Sequence, residues 1–424
     1  MVFYRREIVV KNRIEVLEES DLDTYVTIMA GAYPGLNIVS DEDRRRLRQR
    51  LATTYDDPSV TIYGLFRDGH LRAGMLIYEF MMNVRGTFVQ SGGLGSLAVD
   101  LLHRKQKLGM EMVRFYLRRV RDEGATIALL YPFRADFYSQ MGFGYGTKMN
   151  QYEFRPAGIR PRTSWEHIER LTEGDAGKVL ACYDRYAAAT HGMILGSQGR
   201  VEQMLNNPSL TTVGFISGSS VLGYLTYGFE KRDHFLQNDL NVKQMVYESP
   251  EALNELLSFL HSLSDQFERI VINTQDDAFH HLLSDPGNRS GNLLPSVFHE
   301  SNTQGLGLMY RVIDLPGLFS RSQTMRFGDK TCKLKISLRD SFMPQNIGSV
   351  IVHFEEGLAS IVEGGQFDYE IRLDVADFSS MFMGVISFNQ LAAYGLVEPN
   401  DAKHAGCINH LFSTEIRPIC MTTF

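Results

Sequence analysis

Residues 92–117 read GGLGSLAVDLLHRKQKLGMEMVRFYL. An apolar strand, expected from Thr87 to Val99 and broken by Gly92, Gly93 and Gly95, passes straight into a cationic segment and then into a helix. Glycines inside a strand mark a bulge or a place where a ligand nears the backbone. The helix is expected from about Leu101 to Asp122: Leu108, Met112, Tyr116 and Val120 share one stripe, and Gly124 suits its C-terminal cap. IALLYPF (127–133) then reads as a buried strand. A strand, a helix and a second strand in this order place a helix against a sheet, which makes the region mixed α+β.

The flanks extend the pattern. TIYGLF (61–66) and LRAGMLIYEFMM (71–82) surround Asp68-Gly69, a strong hairpin signal. Upstream, Ile14 and Val16 alternate with charged neighbours as in an edge strand. Ser20 and Asp23 have capping-box spacing before a helix carrying Leu22, Tyr25, Val26 and Met29, which Gly31, Pro34 and Gly35 end. A second helix follows Ser40-Asp41-Glu42-Asp43, and its basic run from Arg44 to Arg50 reads as a solvated face. The same order recurs downstream: a helix from Asp175 to Ala189, strands TTVGFIS (211–217), VLGYLTYGFE (221–230) and NVKQMVY (241–247), a helix opened by Ser249-Pro250, and RIVINT (269–274). From about Leu306 the texture changes to TCKLKISL (331–338), VIVHFE (350–355) and FDYEIRL (367–373), with short helices around VADFSSMFMG and INHLFS. Three domains are expected, at 1–155, 156–300 and 301–424, with linkers near Pro156 to Pro161 and Asp285 to Pro295.

Length and composition bound the rest. A chain of 424 residues suits two to four domains of about 100–200 residues. Lys plus Arg total 43 against 50 for Asp plus Glu, a net charge of −7, which argues against a dedicated nucleic-acid binder. The 4 cysteines form no CxxC pair, so neither a metal site nor a disulfide framework is expected. The first ten residues, MVFYRREIVV, show no signal peptide, and no apolar run nears the ~20 residues of a membrane helix. A soluble, reduced, cytoplasmic protein with no membrane partner is expected.

Chemistry concentrates at 92–117. A splayed glycine-rich strand exposes peptide groups that an extended amide ligand can pair with. The helix start behind it offers free N–H groups beside His103, Arg104, Lys105 and Lys107, a seat for phosphate. Coenzyme A has both amides and a pyrophosphate; a solvated basic helix start beside a buried strand is the alternative. In Ala32-Tyr33-Pro34-Gly35-Leu36, Tyr33 walls an acceptor pocket or the loop simply ends a helix. His280 and His281 are expected on a helix surface, since adjacent helical residues do not share a face, and Trp165 as a packing anchor.

ADFYSQMGFGYG (135–146) adds a tyrosine, Tyr138, followed by Met141-Gly142-Phe143 behind the strand at 127–133. Together with the strand–loop–basic helix–strand order, this resembles the GNAT acetyltransferases. The whole chain is similar to their Eis-type (enhanced intracellular survival) branch, in which an active GNAT domain precedes a degenerate one and a sterol-carrier-protein-like domain. The resemblance implies acetyl-CoA as donor and direct transfer to a primary amine of an aminoglycoside, a polyamine or a lysine-type acceptor, small molecule or peptide. It assigns Leu97, Ala98 and Val99 to the pantetheine arm, Lys105, Gln106, Lys107, Leu108, Gly109 and Met110 to the pyrophosphate, and Phe133 and Arg134 to the cofactor's flank. It makes Tyr138 the acid that protonates the thiolate and the carboxylate of Phe424 the base. It also implies a homo-oligomer, a hexamer. Lys107 departs from the family's phosphate loop, which has glycine at that place. Glu248-Ser249-Pro250-Glu251, the second copy's counterpart, has neither glycine nor cation, so that domain is expected to be structural. The alternatives are a longer-chain acyltransferase, as in the tandem-GNAT N-myristoyltransferases, and a lipid-binding scaffold with a vestigial donor site.

Overall fold

The computed structural model describes residues 12–160, 164–232, 238–288, 290–321, 323–399 and 404–424. The opening ten residues and Pro161 lie outside them. Asp68 and Gly69 both take positive φ, 52° and 78°, which closes a tight hairpin with the strand twist built in. That hairpin joins β2 (Val60–Arg67) to β3 (His70–Val84), and a second hairpin joins β3 to β4 (Thr87–Val99). With β1 (Arg13–Val16) at the edge, these strands run antiparallel, and β5 (Ile127–Leu130) then pairs parallel to β4.

Helix α1 (Leu22–Ala32) buries Leu22, Tyr25, Val26 and Met29. The expected Ser20–Asp23 capping box does not form: Glu19–Asp21 makes a single 3-10 turn, and Asp21 caps without a side-chain bond. A capping box does form at α2 (Asp41–Ala52), between Ser40 and Asp43. Helix α3 (Leu108–Asp122) buries Leu108, Met112, Tyr116 and Val120. The Tyr116 hydroxyl donates to Gly92 O at 2.7 Å and ties α3 to the sheet.

Helix α3 starts at Leu108, not at Leu101. Asp100 accepts from Leu102 N at 3.0 Å and holds His103 Nδ1 at 3.0 Å, so Leu101–His103 is a separate 3-10 turn. Lys105 and Lys107 then take positive φ, 62° and 63°, which no helix tolerates. β5 likewise stops at Leu130, before Pro132, which has no N–H to offer a ladder.

The second sheet repeats the first. Asn238–Tyr247 runs antiparallel to Ser220–Lys231 and parallel to Arg269–Thr274, as β4 does to β3 and β5. The third unit is a five-stranded sheet with Cys332–Arg339 at its centre, packed by helices Val375–Phe382 and Ala405–Phe412.

Two strands cross the expected boundaries. Past the short β6 (Gly144–Tyr145), β7 (Met149–Phe154) was expected in the first domain but pairs with Arg269–Thr274 in the second sheet. Met309–Val312, expected in the third, lies between β5 and β6 in the first sheet. Its Arg311 is fully buried and bonds both oxygens of buried Asp340, at 2.8 and 2.7 Å, which joins the first sheet to the third unit. Gly142 makes way for it: at φ +79°, a Cβ there would meet Arg311 Nη1 at 1.6 Å.

A second arginine makes a similar joint. Arg85, at the β3–β4 turn, is buried in the third unit and donates to the carbonyls of Phe382 (3.0 Å) and Phe412, at the ends of two helices. Burial pulls its pKa down to about 9.

Candidate active site

Strand β4 is the spine of the site. Its pairing with β5 ends at Leu94 opposite Leu130, yet β4 continues to Val99. On its other edge Ala98 and Val99 stay paired with Gly74 and Ala73. A register shift on that edge and a positive φ of 51° at Ser96 make a bulge. Leu97, Ala98 and Val99 therefore flank a wedge where the two parallel strands part. Such a wedge accepts an extended amide as an added strand.

Tyrosines fix the bulge from behind. Tyr25 donates to Ser96 O at 2.6 Å, and Tyr33 donates to Leu97 O. Burial pushes the Tyr33 phenol up to about 12, so it remains a donor at neutral pH. Phe133, exposed on the rim, meets the Tyr33 ring edge to face with centroids 5.4 Å apart. Arg134 is beside it, paired with Asp136.

At the mouth of the wedge, Lys107 precedes α3 and offers no capping side chain, and Glu111 N is the first to bond back, to Lys107 O at 3.0 Å. The N–H groups of Leu108, Gly109 and Met110 are thus left for an anion. Arg104, Lys105, Gln106 and Lys107 are exposed around them. The left-handed φ at Lys107 explains the family's glycine: the backbone there suits glycine, and lysine holds it at a cost. Gln106 accepts from Arg67, which anchors the loop to β2.

Tyr138 sits on α4 (Ala135–Ser139), 6% exposed, with Phe137 and Phe143 against its ring. Burial first, and the nearby Tyr33 phenol second, raise its pKa well above the usual tyrosine range. It holds its proton at neutral pH.

Phe424 reaches this same cleft. Its ring lies 4.9 Å from Phe80, 5.2 Å from Tyr131 and 5.6 Å from Tyr78, centroid to centroid. A Cβ on Gly95 would lie 3.2 Å from the Phe424 carbonyl carbon, and one on Gly93 3.0 Å from its ring. Gly93 and Gly95, expected to admit a ligand, make room for Phe80, Tyr78 and the chain's own residue 424, and Gly92 makes room for Val120 of α3. Tyr131 donates to Thr422 O at 2.9 Å and Arg200 donates to Thr423 O at 3.2 Å. Tyr78, Phe80, Tyr131 and Arg200 were not singled out in the sequence. In the sequence, the residues after Arg417 carry no charged side chain.

Other expectations resolve away from the cleft. His280 and His281 share a short 3-10 turn, and their rings lie 4.3 Å apart rather than on different faces. Trp165 is half-exposed and meets Phe259 edge to face. Among the described residues no three His, Cys, Asp or Glu side chains gather as a metal site, and no helix is long and apolar enough to cross a membrane.

Known proteins share this chain's domain order and fold. Residues 13–146 and 198–298 each match a family described as an acetyltransferase (GNAT) domain, and residues 321–421 match a sterol carrier protein domain. The N-acetyltransferases Eis of Mycobacterium tuberculosis (strain ATCC 25177 / H37Ra) and of Mycobacterium bovis (strain BCG / Pasteur 1173P2) are 23% identical over 360 residues, 81% of this chain and 83% of theirs. The chain is an Eis-like GNAT acetyltransferase. Solved structures share the fold over nearly all of the chain. A GCN5-related N-acetyltransferase from Anabaena variabilis superposes with a TM-score of 0.81 at 15% identity, over 98% of this chain and 100% of that one. Eis1 from Mycobacterium abscessus gives 0.74 at 19% identity, with the same coverage. In this Eis-like chain the match at 13–146 contains the β4 wedge, the loop before α3 and Tyr138.

Proposed function

We propose that the chain transfers an acetyl group from acetyl-CoA to a primary amine at the β4 wedge. The observation that carries this reading is the meeting, along residues 95–97 of β4, of Phe424, the Tyr33–Tyr138 pair and a run of strand that β5 leaves unpaired. Leu97, Ala98 and Val99 would pair with the pantetheine arm, and Leu108, Gly109 and Met110 would donate to the pyrophosphate, with Lys105, Gln106 and Lys107 around it. Phe133 and Arg134 form the rim, and Tyr33 the wall toward the acceptor.

The mechanism follows from the groups. A neutral amine attacks the thioester, and backbone N–H near Val99 receives the oxyanion. An alkylamine, with a reference pKa near ~10.4, must lose a proton, and the Phe424 carboxylate is the base that takes or relays it. Tyr138 protonates the departing thiolate. A free thiol has a reference pKa near ~8.5, below a buried tyrosine, so transfer is uphill unless the thiolate is desolvated too. The closed wedge would supply that, since burial raises the proton affinity of both groups.

The same reading covers a cytoplasmic homo-oligomer, a hexamer. Support comes from the Leu293–His299 hairpin, where Leu293, Leu294, Val297 and Phe298 are 59, 55, 76 and 67% exposed. Light scattering that returns a monomer at micromolar concentration removes this part alone.

The test of the function is an amine panel with acetyl-CoA, read by thiol release, beside calorimetric titration of acetyl-CoA, myristoyl-CoA and a sterol. One acetyl-CoA per chain and turnover with at least one amine are expected. Binding of myristoyl-CoA alone, or of a sterol alone, replaces the reading with a longer-chain transferase or a lipid-binding scaffold.

A further inference from the structure

The path of residues 417–424 assigns work to the second GNAT unit. That unit's own helix start is closed. Ser249 accepts from Ala252 N at 3.2 Å, Pro250 occupies the first turn, and Glu248 pairs with Arg185. Yet its residues hold the tail nearly residue by residue. Arg417 pairs with Asp277 at 2.7 Å. Ile419 N donates to His191 O at 2.9 Å, and Cys420 N donates to Gln275 Oε1 at 2.7 Å. Tyr183 and Thr422 hydroxyls meet at 2.9 Å, and Arg200 reaches Thr423 O. Only at its tip does the segment belong mainly to the first unit, where Phe424 packs on Tyr78, Phe80 and Tyr131.

Arg200 is the last of these holds before Phe424. Its guanidinium lies over the Tyr78 and Phe80 rings, 5.8 Å from each centroid, in the same aromatic cluster as Phe424. Among the described residues no carboxylate side chain pairs with it. A cation held over two ring faces, with one N–H spent on a carbonyl, fixes that carbonyl along the chain axis.

We propose that the second GNAT unit is a clamp that seats residues 419–424 in the first unit's cleft, with Arg200 as the positioning residue that sets how far Phe424 reaches. This rests on the reading of the cleft as the transfer site. Arg200 touches no reacting atom; it acts through Thr423 and Phe424. The clamp also accounts for a second acetyltransferase fold whose own helix start is capped from within.

Two measurements on the full chain test it. Hydrogen exchange of the 419–424 amides reports the seat without reference to chemistry, and steady-state kinetics report the reaction. Arg200→Met keeps the stem over the rings and removes the donors. It should speed exchange of the tail and lower kcat by roughly 10- to 100-fold, the cost of a small misplacement, with the acetyl-CoA KM unmoved. Arg200→Lys should recover part of both. Gln275→Leu, which removes the acceptor at Cys420, should loosen the tail in the same way if Arg200→Met does not fold. A tail that exchanges as in the wild type in both variants overturns the clamp. So does a fall in kcat with exchange unmoved, which would place Arg200 on the acceptor instead. Faster exchange with kcat intact upholds the clamp as a structural seat and removes the Phe424 carboxylate from the proposed mechanism.

Discussion

The two GNAT units differ most where strand passes to helix. In the first, β4 and α3 are separated by Asp100–Lys107, a loop with two left-handed lysines that ends at an uncapped helix. In the second, Tyr247 and Pro250 are separated only by Glu248 and Ser249; Pro250 has no N–H to offer, and the Ser249 side chain accepts from Ala252 N. The strands behave alike, since both outrun their parallel partner: β4 by the residues after Leu94, Asn238–Tyr247 by those after Val242. A parted pair of strands is therefore common to both units. What separates the units is whether the helix N-terminus is left open with cations around it or is capped by the chain with an acid beside it.

The sharpest test of that contrast is Tyr138→Phe, which keeps the ring and removes the proton. A kcat loss of about 10²–10⁴-fold with acetyl-CoA affinity unchanged is expected; full activity would put the acid elsewhere. The second unit should instead show its effects in stability. His191 accepts from Arg85 N at 3.2 Å and donates to Met383 O at 3.0 Å, as a neutral ring does. Burial, with the Arg85 cation beside it, lowers its pKa to about 4. The unfolded chain then takes up that proton first, so stability is full above pH ~6.5 and falls as pH drops toward ~4. The loss is on the order of 3 kcal/mol, and His191→Asn should flatten that slope in urea titrations at pH 7 and pH 5. An unchanged slope would exclude His191 as its source.

Smaller effects separate the two helix starts. Reversing Arg104 and Lys105 to glutamate should raise the acetyl-CoA KM by roughly tenfold, since two exposed charges swing about 1–2 kcal/mol between them. If KM is unmoved, the phosphate seat is not there. Ser249→Ala should cost about 1 kcal/mol of stability and leave the donor KM alone, while Lys107→Gly should gain up to about 1 kcal/mol by relaxing a left-handed residue. A large loss of donor affinity in Lys107→Gly would make the lysine side chain, not the backbone, the phosphate ligand.

Much of this was legible because it is local. Asp68-Gly69 specified its hairpin, the Leu108–Val120 stripe specified the buried face of α3, and RIVINT fell on the strand Arg269–Thr274. The errors also have local causes. Leu101 and Leu102 extend the apolar pattern of α3, but both point to solvent, at 51% and 86% exposure, and Asp100 turns the chain there. Ser20 has the spacing for a cap but sits inside a 3-10 turn. What was not legible is long-range. Nothing near Arg200 says that its guanidinium will meet a carbonyl more than two hundred residues away, and nothing in Met309–Val312 says which of three sheets it will join.

The placement of Met309–Val312 bears on the order in which the molecule is completed. Synthesis proceeds from the N-terminus, and domains commonly fold as they emerge. Here the strands β5 and β6 are finished well before the strand that must lie between them, and the whole second unit is made in the interval. The first sheet therefore waits with an unpaired edge at β5 while its neighbour folds. Such an edge invites pairing with another chain, so a nascent or truncated protein lacking residues 309–312 should be the form that holdase chaperones bind and that aggregates.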